Sequence, residues 1–173
     1  NIDRRKKMPV TILLRALGYS SDQDLLSLFY DLTSVEVKAR NKDLLVGSVV
    51  GKPVFSTDTG EILIDANETI TEEKWEAIVG AKIDTVDVLK DEGSGDSAII
   101  RNSISVDPTK SEEEALFYIY ATMRPGDPPN VDTARNLIRR LFFDDKRYDL
   151  SNVGRYRLNS RLGVSHPDDL NTL

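Results

Sequence analysis

Two arginines beside sharp chain breaks offer the clearest chemistry in this sequence. Arg124 stands directly before Pro125-Gly126, and Arg147 lies in Lys146-Arg147-Tyr148-Asp149. A guanidinium can grip a phosphate with two hydrogen bonds or lie flat on a base. On neighbouring interhelical turns, the two would form one nucleic-acid contact strip. The same spacing also allows local pairing, Arg124 with Asp127 and Arg147 with Asp149. A third basic feature is the run Arg4-Arg5-Lys6-Lys7.

Other candidate chemistry is thin. There is no cysteine and a single histidine, His166, so cysteine-ligated metals and histidine-rich sites are excluded. His166 reads as a solvated residue of the C-terminal tail. Gly93-Ser94-Gly95 is too short for a phosphate loop and lacks the strand-to-helix frame. Asp144 and Asp145 are adjacent, so on a helix end they point about 100° apart. A two-metal site needs carboxylates converging from separate elements, and these two read as helix-end or turn residues. Glu112, Glu113 and Glu114 suit a helical first turn, where the positive end of the dipole favours acids. Trp75 shares a helix with Ile78 and Val79 and reads as core. No catalytic set emerges.

The elements that must carry the arginines follow from pattern. Pro9 can open a helix whose apolar positions are Ile12, Leu13, Ala16 and Leu17, with Gly18 as its stop. Ser21 to Asp24 can cap a second helix through Leu25, Leu26, Leu28 and Phe29. Val35 and Val37 alternate with charged residues, as in a strand. Leu44-Leu45-Val46 and Ser48-Val49-Val50 read as short β-like runs. Val54-Phe55 and Ile62 to Ile64 flank the turn-rich Ser56 to Gly60, which predicts a hairpin. Thr71 to Glu73 start a short helix ending at Gly80, and Ile83, Val86, Val88 and Leu89 suggest one more strand. Asp91 to Asp96 is a polar loop. Helix returns at Ser111, which has capping-box spacing to Glu114. Pro125 to Pro129 break that helix, and Asn130 caps the next. Val131, Ala134, Leu137, Ile138, Leu141 and Phe142 form its inner face, and Arg135, Arg139 and in part Arg140 its outer one. A last helix covers Val153 to Leu162, and Gly163 to Leu173 looks loose.

This reads as an α+β chain: a helical base from residues 1–37 and 100–173, with a small inserted β-rich subdomain, 38–99, that holds one helix. Its 173 residues are 39% hydrophobic and 30% charged, a globular profile. No apolar run approaches a membrane span, and no apolar segment follows the basic N-terminus as in a signal peptide. A start at Asn1 rather than Met leads us to expect a segment of a longer chain. The net charge of −6 hides a split. Residues 56–98 hold twelve acids and three bases, whereas residues 124–161 hold nine bases and five acids. Local charge, not the sum, governs phosphate binding, although solvated faces would give the same composition.

Four segments carry a resemblance. They are Asp3 to Thr11 with Leu14 to Tyr19; Ser105-Val106-Asp107-Pro108-Thr109; Met123 to Pro129; and Leu141-Phe142-Phe143, Arg147 to Ser151 and Val153-Gly154-Arg155. In order and spacing the chain resembles the lobe of the bacterial RNA polymerase β subunit. The match is weakest from Lys38 to Gly47 and after Gly163.

The resemblance implies a wall of the main DNA cleft that contacts promoter and non-template strand DNA during transcription. Arg124 and Arg147 would face that strand, with Arg4, Arg5, Lys6 and Lys7 near the same path. It implies a DNA-directed RNA polymerase, a nucleotidyltransferase, only as a whole enzyme, with the segment itself not catalytic. The magnesium ions would be bound by another subunit, leaving no cofactor here. Partners would be DNA, the β′, α and ω subunits and a sigma factor, with no membrane, in the bacterial cytoplasm at the nucleoid. The family also has a base-reading tryptophan upstream of the basic run, to which Trp75 does not correspond. The alternative function is a docking surface for sigma or other transcription factors.

Overall fold

The computed structural model describes residues 7–90, 98–167, 170 and 172–173. The chain divides into two compact units, Asn1–Ala115 and Leu116–Leu173. Helix and strand combine as an α+β fold, with two small antiparallel sheets among the described residues.

In the first unit, helices α1 (Val10–Ala16) and α2 (Asp22–Phe29) open the chain. The α2 start is a full capping box. The Asp24 backbone N–H donates to the Ser21 hydroxyl at 3.0 Å, and the Ser21 N–H donates to the Asp24 carboxylate at 3.0 Å. Two otherwise orphaned donors are thereby satisfied. Strand β1 (Leu32–Glu36) pairs with β4 (Thr85–Leu89), Val35 opposite Val86. Strands β2 (Val54–Phe55) and β3 (Ile62–Ile64) form the expected hairpin, with a bulge at Val54/Phe55. Helix α4 (Glu72–Gly80) is capped by Thr71. Val35, Leu45, Val50, Ile64, Ile78 and Val86 form the core here, and Trp75 joins them as read from its helix.

Two local readings are corrected. Leu44-Leu45-Val46 is not a β-like run, because Lys42–Leu45 form a helical turn, α3, that drops Leu45 into the core. A short apolar run cannot by itself distinguish a strand from a buried helical turn. Helix also returns earlier than Ser111, as α5 (Ala98–Ser105). Isoleucine and serine make weak helix formers. Packing against α1 and α2, with Ile104 buried beside Leu25 and Leu26, supplies what propensity does not. Val49 and Val50 form isolated bridges, to Thr69 and to Val88 of β4. The polar loop expected at Asp91 to Asp96 lies outside the described residues.

Helix α6 (Glu112–Met123) starts in the first unit and continues into the second. The Ser111 hydroxyl accepts from the Glu114 N–H, as a capping box requires. The Glu114 carboxylate instead accepts from the Lys110 N–H at 2.7 Å, one residue before the expected donor. The second unit adds α7 (Val131–Phe142) and α8 (Ser151–Leu162). Asn130 caps α7, its side-chain oxygen accepting from the Asp132 and Thr133 backbone N–H groups at 2.9 and 3.4 Å. Leu116, Ile119, Tyr120, Ala134 and Ile138 are buried. Among the described residues, no helix is long and apolar enough to cross a membrane.

The C-terminal tail is not loose where it is described. Arg155, nearly fully buried, donates from Nε to the Leu170 carbonyl at 3.0 Å and from Nη2 to the Thr172 carbonyl. The Leu173 N–H donates to the Phe142 carbonyl at 3.1 Å. His166 is exposed, as read, and its carbonyl accepts from the Asn159 amide.

Candidate nucleic-acid interface

The turn between α6 and α7 is built to hold Arg124 outward. The Arg124 N–H closes the last turn of α6 on the Tyr120 carbonyl at 2.8 Å, and Pro125 prevents continuation. Gly126 then takes φ +89°, a conformation that a side chain disfavours. Arg124 is exposed, and its guanidinium lies 6.0 Å from the centre of the Tyr120 ring. The expected Arg124–Asp127 pair is not formed. Asp127 accepts instead from the Tyr120 hydroxyl at 2.6 Å. That bond holds the phenol above its ordinary range, with burial adding to the shift.

The turn between α7 and α8 is organised by Asp144. Its backbone carbonyl accepts from the Arg147 and Tyr148 N–H groups, and its carboxylate accepts from the Lys146 N–H at 3.1 Å. Asp144 is thus the turn residue the sequence predicted. The Tyr148 ring packs edge-on to Phe142, with centroids 6.3 Å apart, pinning the turn to the end of α7. Arg147 is exposed and pairs with Asp144 at 3.7 Å. Asp149, its expected alternative partner, accepts from the Ser151 N–H.

The two turns sit at opposite ends of α7. Twelve residues at 1.5 Å rise separate them by about 18 Å. A strip joining the two turns therefore runs the length of α7. Lys7 is exposed in the first unit, while Arg4, Arg5 and Lys6 lie outside the described residues.

Sequence reasoning missed the placement of Arg140. Thr133, Asn136, Leu137 and Arg140 recur at helical spacing and share one face of α7. With Tyr120 and Arg124 of the α6 end they line a cleft of about 230 Å³. Arg140 therefore does not share the outer face with Arg139. Among the described residues, no group of three or more His, Asp or Glu side chains could hold a metal ion.

Two other quoted motifs prove structural in this fold. In the first unit, the fully buried Arg15 donates to Asp107 and Asp22 and to the Ser20 carbonyl. Asp107 also accepts from the Thr109 hydroxyl at 2.6 Å and from the Thr109 N–H at 2.8 Å. Burial is the largest influence on Asp107 and acts to raise its pKa. The hydrogen bonds of Thr109 and Arg15 and the nearby Thr11 hydroxyl outweigh it, so the carboxyl sits below the usual range. Thr11 itself is buried without a hydrogen bond of normal geometry.

The comparisons with known proteins agree on one family. The family model described as RNA polymerase Rpb2, domain 2, matches residues 99–172, which include both arginine turns and the α6–α7 cleft. The DNA-directed RNA polymerase subunit beta of Phocaeicola vulgatus is 39% identical over 189 aligned residues, which take in 99% of this chain and 15% of that protein. The chain belongs to the RNA polymerase β-subunit family. The subunit beta proteins of Porphyromonas gingivalis and Flavobacterium psychrophilum are 38% and 37% identical, across 99% and 96% of this chain and 15% and 14% of theirs. The chain thus spans about one seventh of the length of these family relatives.

Proposed function

We propose that this segment is the lobe of a DNA-directed RNA polymerase β subunit, forming one wall of the main DNA cleft. It contacts promoter DNA and the non-template strand, and it catalyses nothing itself. Nucleotide joining, with magnesium bound by another subunit, belongs to the assembly with the β′, α and ω subunits and a sigma factor. The observation that carries the reading is the outward placement of Arg124 and Arg147 on two rigid turns. Single strands are held by positive charge and planar surfaces, largely without sequence preference.

Charge reversal of both arginines in the whole polymerase tests the proposal. Open-complex lifetime should fall and depend less steeply on salt, because each lost phosphate contact removes a counterion release. An unchanged lifetime at several salt concentrations removes the reading.

A second reading is a docking surface for sigma or another transcription factor. The observation favouring it is the exposed Phe55–Ile62 pair on the acidic β2–β3 hairpin. Retention of sigma by the wild-type chain, lost on Phe55→Ser, would support it.

A further inference from the structure

We propose that the α6–α7 cleft is a phosphate seat for a single DNA strand, with Arg140 as a binding residue beside Arg124. The inference rests on the non-template-strand reading and adds a subsite to it. Three observations carry it. The polar side chains lining the cleft are cations or neutral groups, with no carboxylate among them: Arg124, Arg140, Asn136, Thr133 and Tyr120 surround Leu137. Neither Arg124 nor Arg140 forms an ion pair among the described residues. Asp127, the nearby acid, accepts from the Tyr120 hydroxyl and pairs with neither guanidinium. Two guanidiniums on one cleft with neutral donors between them match an anion that accepts from several sides.

The position favours a strand over a free anion. Arg124 and Arg147 stand on the turns at opposite ends of α7, a helix about 18 Å long. Arg140 lies near the Phe142 end of α7 and lines one cleft with Arg124, so the three arginines follow the length of that helix, as a strand would. The ring of Tyr120 holds Arg124 at the cleft, so less ordering is required when a phosphate arrives.

The test uses the full chain, a labelled oligo(dT) strand and three variants: Arg140→Gln, Arg139→Gln and the pair Arg124→Gln/Arg147→Gln. Binding is followed by anisotropy across a salt series, and the Arg140 side-chain N–H by NMR. Arg140→Gln should weaken binding about ten-fold at low salt. It should also reduce the salt slope by roughly 0.7. Arg139→Gln, on the same helix but outside the cleft, should do neither. Equal effects of Arg139→Gln and Arg140→Gln overturn the seat, because charge anywhere on α7 would then suffice. An Arg140 N–H that moves with inorganic phosphate but not with oligo(dT) overturns the strand as ligand. Absence of oligo(dT) binding at low salt overturns the proposal as well. Loss of binding in the Arg124/Arg147 variant with none in Arg140→Gln overturns the seat and leaves the cleft-wall reading intact. The reverse result overturns the two-arginine seat as well as the role of the two turns, because Arg124 belongs to both.

Discussion

The Nε–H of Arg15 donates to the Asp107 carboxylate at 3.2 Å across 92 positions of sequence, and both side chains are fully buried. The pair joins α1 to the segment that leads into α6. Two buried charges are stable here because each also has further partners: Asp22 and the Ser20 carbonyl for Arg15, Thr109 for Asp107. Removing one member leaves a charge desolvated without its match.

Asp107→Ala should therefore destabilise the chain by about 3 kcal/mol. The double change Arg15→Met/Asp107→Leu should cost less than Asp107→Ala alone, because no unpaired charge remains. Urea midpoints of the two variants check this. Equal or reversed losses would mean that the pair is not the anchor of α1.

Acid should act through the same carboxylate. The Asp107 pKa is lower in the folded chain than its ordinary 3.8, so the unfolded chain binds the proton first as pH falls. The stability that Asp107 contributes is fully present above that ordinary value. It is lost as pH falls from there through the lowered native value. Urea midpoints measured at steps below pH 4 should decline for the native chain, and less steeply for Asp107→Asn.

The Arg155 clasp predicts a local effect. Arg155→Met removes both donors to the tail carbonyls of Leu170 and Thr172. Amide exchange at Leu173, whose N–H is bonded to the Phe142 carbonyl, should accelerate by an order of magnitude or more. Exchange within α4, in the other unit, should stay unchanged.

Gly126→Ala tests the turn that presents Arg124. At φ +89° an added side chain should cost about 1–2 kcal/mol and shift the turn. Thermal denaturation should report that loss. The Arg124 side-chain N–H resonance should move with it, although Arg124 itself is intact.

The helix starts were open to the eye because capping is local. Ser21 with Asp24, Thr71 and Asn130 each satisfy backbone donors within three residues, so spacing alone identifies them. The β2–β3 hairpin, the burial of Trp75 and the turn role of Asp144 follow from equally short patterns. What spacing could not decide involves partners far apart in the chain. Arg15 meets Asp107, α5 is helical through its packing on α1 and α2, and Arg155 closes on the tail. Arg124 and Arg147 were recognisable as outward arginines, but the length of α7 places them at opposite ends of a helix. Arg140 looks like one more solvated charge until α6 and α7 form a cleft around it. The sequence by itself thus determined the family, the helix caps and the candidate arginines, because each is written in neighbouring residues. Tertiary structure alone decided which charges are buried as struts and which line a cleft, because that depends on what folding brings alongside them.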